Sequence, residues 1–123
     1  MKILGIDDNE DLLQLSEIAL TTAGHEYTGI SSGQEGFKAI QEEKFDLVLL
    51  DLSMPDFSGM DVLDAIHKDG IVNKPIIVIF TASPPSEEVR KSFSELGVHS
   101  FLAKPIEPDV LLDHIEKIIS KVI

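Results

Sequence analysis

A chain of 123 residues has room for one domain, taken as residues 1–123, and its 43% hydrophobic content is enough for a buried core. Its 22 acidic residues stand against 10 basic ones, and the formal charge of −12 repels phosphate backbones and anionic lipids, which argues against direct binding of nucleic acid or a membrane surface. With no cysteine there is no disulfide, thiolate nucleophile or zinc–thiolate site, which fits a cytoplasmic protein. No apolar run reaches the roughly 20 residues of a membrane span, and the N-terminus turns acidic by position 7, unlike a secretory signal.

The first apolar run, Ile3–Ile6, predicts a strand, although Gly5 inside it occupies a place where a branched residue would pack better. Asn9 to Ala23 follows with apolar residues at Leu12, Leu15, Ile18 and Ala19 and with Gly24 as a stop, the pattern of an amphipathic helix. Leu13 and Leu20 make this segment more apolar than one buried stripe requires. Tyr27–Ile30 is a weaker second strand, and Gly33 to Glu43, carrying Phe37 and Ile40, a second helix. Phe45–Leu50 (FDLVLL) and Ile76–Phe80 (IIVIF) are continuously apolar, as strands buried on both faces of a parallel sheet are. Between them, Ser58 to Lys68 opens with Ser58 and Asp61 at capping-box spacing and ends near Gly70. Ser86 is placed to cap a fourth helix, with Glu87 and Glu88 in its first turn and Gly97 as its stop. Ser100–Ala103 is a fifth strand, and Pro108 suits the first turn of a fifth helix running to the C-terminus. The order βαβαβαβαβα with right-handed crossovers predicts an α/β fold, a doubly wound five-stranded parallel sheet with five helices on its two faces. Chemistry in such sheets collects at the carboxyl ends of the strands.

At those ends stand Asp7 and Asp8 after the first strand, Asp51 after the third, Thr81 after the fourth, and Lys104, followed by Pro105, after the fifth. Three carboxylates on one edge repel one another, and a hard divalent cation relieves the conflict; magnesium takes one or two carboxylates together with waters and phosphate oxygens. A carboxylate can also act as a nucleophile and form an aspartyl phosphate. Thr81 would then donate to one phosphoryl oxygen and Lys104 pair with another. Each residue has a plainer reading when taken singly. Asp7, Asp8 and Asp11 suit a helix start, Asp51 a turn before Pro55, Thr81 a strand end, and Lys104 the surface. Their joint placement at the ends of four strands favours the chemistry. His25, His67, His99 and His114 show no ligand spacing and are expected at surface or half-buried positions.

The Asp7-Asp8 pair, the LVLLDLSMPDFSG run around Asp51, Thr81-Ala82 and Lys104-Pro105, with the intervals between them, resemble the signature of response-regulator receiver domains over essentially the whole chain. The resemblance implies a flavodoxin-like sheet of order 2-1-3-4-5 and a part in two-component phosphorelay signalling of the chemotaxis-regulator kind. It implies Asp51 as the phosphoacceptor and Mg2+ as the cofactor, held by Asp8, by Asp7 largely through water, by Asp51 and by the backbone carbonyl of Ser53. Thr81 and Phe101 become the switch residues, with Ala82 leaving room for the ring, although Phe101 is equally readable as a core aromatic. Lys104 pairs with the phosphoryl group, and the bond to Pro105 is cis. The donor implied is a histidine kinase or phosphotransfer protein docking on the first helix. The output is a change on the face of the fourth helix, fifth strand and fifth helix. That face would meet an effector partner, a C-terminal effector domain or a second copy in a phosphorylation-dependent homodimer.

Such a domain assists its own phosphorylation and dephosphorylation and is not a turnover enzyme. Ser53 and Ser83, two residues beyond Asp51 and Thr81, are small and leave an acyl phosphate open to water, implying a short-lived phosphorylated state, while Pro84 and Pro85 stiffen the loop after Thr81. Two other readings stay open. A phosphatase of the haloacid-dehalogenase type also uses an aspartate, a threonine, a lysine and magnesium, but it calls for a second aspartate at the place of Ser53 and a nucleophile after the first strand. An interaction scaffold would have lost phosphorylation, a loss that nothing in the acidic set supports. The chain ends with the fifth helix, which fits either a stand-alone messenger or a piece of a longer regulator.

Overall fold

The computed structural model describes residues 1–71 and 74–122. Strands β1 (Lys2–Ile6), β2 (Glu26–Ile30), β3 (Leu47–Leu50), β4 (Ile76–Thr81) and β5 (Val98–Ala103) alternate with helices α1 (Glu10–Thr22), α2 (Gly33–Glu42), α3 (Gly59–Asp69), α4 (Glu87–Glu95) and α5 (Pro108–Val122). The strands form one parallel sheet in the order β2-β1-β3-β4-β5. The chain therefore steps from β1 outward to β2, then reverses across β1 to β3, which puts the switch point between β1 and β3. The helix expected to run to the C-terminus is followed through Val122, and Ile123 lies outside the described residues.

Side chains alternate across each strand, so the sheet carries two apolar layers. Leu4, Ile6, Val48, Leu50, Ile77 and Ile79 pack with Ile40, Val62, Leu63, Ile66 and Phe93 from α2, α3 and α4. Ile3, Leu47, Leu49, Val78, Phe80 and Leu102 pack with Leu20 of α1 and Leu111, Ile115 and Ile118 of α5. Each such buried aliphatic side chain is worth about 1.5–3 kcal/mol relative to exposure. The middle strands β1, β3 and β4 contribute to both layers, which is why their sequences read as unbroken apolar runs.

Local signals fix the helix ends. Ser58 and Asp61 form a complete capping box: the Ser58 hydroxyl accepts from the Asp61 amide at 3.2 Å, and the Asp61 carboxylate accepts from the Ser58 amide at 2.9 Å. Gly24, Gly70 and Gly97, all at positive φ, follow α1, α3 and α4. Ser86 stands at the start of α4 with extended backbone but makes no side-chain cap bond, contrary to its sequence promise. The Arg90 guanidinium instead donates to the Pro85 carbonyl at 3.1 Å and ties the helix to the preceding loop. Strands β1, β2 and β4 each extend one residue beyond their expected limits, and two limits move by two residues. Strand β3 starts at Leu47, and just before it the Asp46 carboxylate accepts from the Lys2 amide at 2.7 Å. Strand β5 starts two residues early, at Val98, beside a register shift between Ile77 and Val78.

Gly5 reverses its sequence reading. A Cβ built there would lie 2.1 Å from the Tyr27 hydroxyl and 2.8 Å from the ring carbon bearing it. The tyrosine of β2 fills the place of a branched residue, so any side chain at residue 5 would have to displace that ring.

Candidate functional site

The sheet ladder positions the site backbones one residue beyond the strands. The Asp7 amide donates to the Ile30 carbonyl at 3.2 Å, the Asp51 amide to the Ile6 carbonyl at 3.0 Å, and the Lys104 amide to the Thr81 carbonyl at 2.8 Å. Strand register thus carries Asp7, Asp51, Thr81 and Lys104 to one edge. Asp7, Asp51 and Thr81 are buried, 4%, 4% and 3% exposed, while Asp8 opens to solvent. One oxygen from each of Asp7, Asp8 and Asp51 lies within 4.8 Å of the others.

Charge is arranged around this acidic triplet. The Lys104 ammonium meets Asp7 Oδ2 at 2.5 Å and Asp51 Oδ2 at 3.5 Å, and it rides over the Phe80 ring, 5.6 Å from its centre. Asp7 Oδ1 accepts from the Asn9 amide at 2.9 Å, and Asp51 Oδ1 from the Ser53 amide at 3.2 Å. Burial and the neighbouring Asp7 charge hold the Asp51 carboxyl above its ordinary value; Lys104 and the Ser53 amide pull it back, and Asp8 pushes it up again. One cation cannot neutralise three anions. The set is all oxygen and open on the Asp8 side, which fits a hard divalent cation. Among the described residues, Asp7, Asp8 and Asp51 are the side chains able to hold it.

The loop after β3 is tightly determined. Asp56 has φ of 65° and is spanned by a hydrogen bond from the Phe57 amide to the Pro55 carbonyl at 2.7 Å, a rare turn for a non-glycine residue. Gly59 opens α3 so close to the site that a Cβ on it would lie 2.3 Å from the Asp51 carbonyl oxygen. The helix start is therefore pinned against the Asp51 peptide.

Thr81 Oγ1 accepts from the Ser83 amide at 3.4 Å, linking the site to the exposed loop before α4. The Lys104–Pro105 bond is cis. Phe101 is half-buried; its ring meets Phe93 edge-on, with centres 5.5 Å apart at 78°, and the Arg90 guanidinium covers it at 5.1 Å. It is neither fully in the core nor free. Ser53 and Ser83 are exposed.

Sequence reasoning missed several neighbours. Asn9 orients Asp7 through its backbone amide, which no side-chain pattern reveals. Tyr27 reaches toward the site from β2, and the signal was the glycine opposite it in β1. The histidines divide. Ser100 Oγ lies 2.9 Å from His99 Nδ1 and 2.8 Å from His114 Nε2, so two histidines without ligand spacing share one hydroxyl. His25 is half-buried, as expected, with its side chain 7% exposed and 3.6 Å from Glu116, and its ring nitrogens find no hydrogen bond among the described residues.

The family model of the response regulator receiver domain matches residues 3–116. The chain is 34% identical to the transcriptional regulatory protein GlrR of Escherichia coli over 114 residues, covering 93% of this chain and 25% of that protein. It is 33% identical to the transcriptional regulatory protein KdpE of Mycobacterium tuberculosis over 110 residues, 89% of this chain and 47% of that one. The chain thus spans a quarter to about half of these relatives. Among solved structures, chemotaxis protein CheY4 of Vibrio cholerae superposes with a TM-score of 0.84 at 26% identity, covering 94% of this chain and 96% of that one. Response regulator TrrA of Thermotoga maritima, solved in complex with Mg(2+)-BeF, superposes with a TM-score of 0.76 at 28% identity, covering 94% and 96%. No described helix is long and apolar enough to cross a membrane. By profile, relatives and sheet order together, the chain belongs to the response regulator receiver domain family.

Proposed function

We propose that this domain is a phosphorylation-controlled switch that accepts a phosphoryl group on Asp51 from a histidine kinase or phosphotransfer protein in the cytoplasm. The observation that carries this reading is one buried carboxylate, Asp51, with two further carboxylate oxygens within 4.8 Å and an ammonium at 3.5 Å. A carboxylate oxygen of Asp51 attacks phosphorus; the O–P bond forms as the P–N bond to the donor imidazole breaks, and the imidazole leaves with that electron pair and takes a proton from water. Asp7, Asp8, Asp51 and the backbone carbonyl of Ser53 are the groups that would hold magnesium. Bound there, it supplies positive charge to the phosphoryl oxygens and to the crowded carboxylates. Lys104 rests on Asp7, and once Asp7 has another cation the ammonium is free to turn to a phosphoryl oxygen.

The output follows from the Thr81 hydroxyl. Drawn to a phosphoryl oxygen, it releases the Ser83 amide and the loop leading to α4. Phe101 can then leave Arg90 and turn toward the space beside Ala82, which changes the α4-β5-α5 face for an effector or a second copy.

The test is intact-mass spectrometry of the protein mixed with magnesium and acetyl phosphate, with Asp51→Asn and a metal-free sample beside it. One phosphoryl adduct that needs magnesium and vanishes in the variant is expected. Absence of an adduct from both acetyl phosphate and a phosphohistidine donor would leave the scaffold reading in its place.

A further inference from the structure

Tyr27 is the one tyrosine in a chain without tryptophan, and it is spent beneath the site. Its hydroxyl lies where a Cβ of residue 5 would be. A glycine in a central strand costs about 0.5–1 kcal/mol, so β1 gives up stability to admit this ring. Beside it is a cavity of about 10 Å³, lined by Gly5, Asp7, Ser16, Tyr27, Leu12 and Phe80 among others. That volume suits one water molecule, and three of the lining residues, Asp7, Ser16 and Tyr27, carry polar side chains. Ser16 is itself buried on α1, 5% exposed. Burial pushes the Tyr27 hydroxyl well above its ordinary range, a hydrogen bond with the Ser16 side chain opposes the rise, and the Asp7 and Glu17 charges add to it. Tyr27, Ser16 and Asp7 thus border one small cavity inside an apolar layer.

We propose that Tyr27 is a positioning residue: its hydroxyl and that of Ser16 hold one water in this cavity, and through it they brace Asp7 as a magnesium ligand. The inference rests on the reading of Asp7 as a ligand given above. The two Asp7 oxygens are otherwise steadied by the Asn9 amide and by Lys104. Lys104 is the partner that must leave when a metal and a phosphoryl group arrive, so the orientation of Asp7 then depends on what remains. Partners behind a metal ligand change metal affinity about 10–100-fold when they act directly, and an intervening water softens the effect.

The experiment is magnesium binding by isothermal titration calorimetry on the full chain, for wild type, Tyr27→Phe, Ser16→Ala and the double variant Gly5→Val/Tyr27→Val, each with its thermal midpoint. Tyr27→Phe keeps the ring over Gly5 and removes only the hydroxyl. It should bind magnesium about three- to tenfold more weakly while its metal-free midpoint moves by no more than about 2 °C. Ser16→Ala should weaken binding in the same range. The double variant refills the space without a hydroxyl and should also bind weakly, even if it recovers full stability. In wild type the single tyrosine emission should change with magnesium, and in Asp7→Asn it should not. Wild-type affinity in Tyr27→Phe, or in a folded double variant, would reduce Tyr27 to a packing residue and overturn the proposal. If wild type binds no magnesium, the ligand reading of Asp7 falls and takes this inference with it.

Discussion

Replacing Asp51 by asparagine removes a buried negative charge at nearly constant volume, and without magnesium it should stabilise the protein at neutral pH. The Asp51 side chain is 5% exposed. One oxygen each of Asp7 and Asp8 lies within 4.8 Å of it, and at an effective dielectric of about 20 each like-charge contact costs roughly 3.5 kcal/mol. Lys104 at 3.5 Å returns about 4.7 kcal/mol on the same scale. Asp8 is exposed, so water reduces its share to about 1 kcal/mol. The Coulomb contacts therefore nearly cancel, and burial of the carboxylate, the largest cause of its raised pKa, decides the sign. The expected gain is about 1–2 kcal/mol, or roughly 3–8 °C in Tm for a chain of this size. Thermal unfolding followed by circular dichroism in EDTA at pH 7 reads it. A folded-state pKa above the unfolded one means that wild type regains stability as pH falls through the folded value, so the advantage of the variant should shrink on acidification. Millimolar magnesium should reverse the order, because only wild type offers the third carboxylate. A variant less stable than wild type in EDTA at pH 7, or an advantage that does not change with pH, would refute the reasoning.

Two further expectations concern helix ends and histidine. Ser58→Ala removes the hydroxyl half of the α3 capping box, leaving the bond from its backbone amide to Asp61, and should cost about 1 kcal/mol, whereas Ser86→Ala, which removes no side-chain cap bond, should cost less than about 0.5 kcal/mol; urea unfolding midpoints compare them. Burial, with His99 and Lys117 nearby, lowers the His114 pKa below 6.5. A depressed folded-state value gives stability that is present above the unfolded pKa and is lost as pH falls through the folded one. His114→Gln should therefore flatten the fall in stability below about pH 6.5. An NMR titration of His114 with a midpoint at or above that of a free histidine would contradict this.

The parts of the fold legible in the chain were those where one residue type answers one physical demand. FDLVLL and IIVIF lie in the middle of a sheet covered on both faces, and no amphipathic alternative suits them. Asp7, Asp51, Thr81 and Lys104 were legible together because each ends or directly follows a strand and a parallel sheet gathers those ends. The misreadings came where tertiary contact overrode a local preference. Gly5 read as a weak point until Tyr27 was found lying across it. Ser86 had the right identity for a cap, but Arg90 took over the task of anchoring the helix. The start of β5 was hidden because His99 and Ser100 are polar residues on an edge strand, and the Ser100 hydroxyl meets the His114 ring of α5. His99 and His114 are 15 positions apart, and only the packing of α5 on β5 makes them neighbours.

The sheet also divides the interior into compartments. Its two apolar layers draw on opposite faces of the same strands and on different helices, α2, α3 and α4 for one and α1 and α5 for the other. Substitutions more than about 7–10 Å apart with no shared partner combine additively, so changes in one layer are nearly blind to changes in the other. A lineage can therefore rewrite the helices on one side, with whatever that side recognises, and leave the far side intact. The carboxyl edge where Asp7 and Asp51 meet is the seam common to both compartments, and it is the part of the molecule with the least freedom to drift.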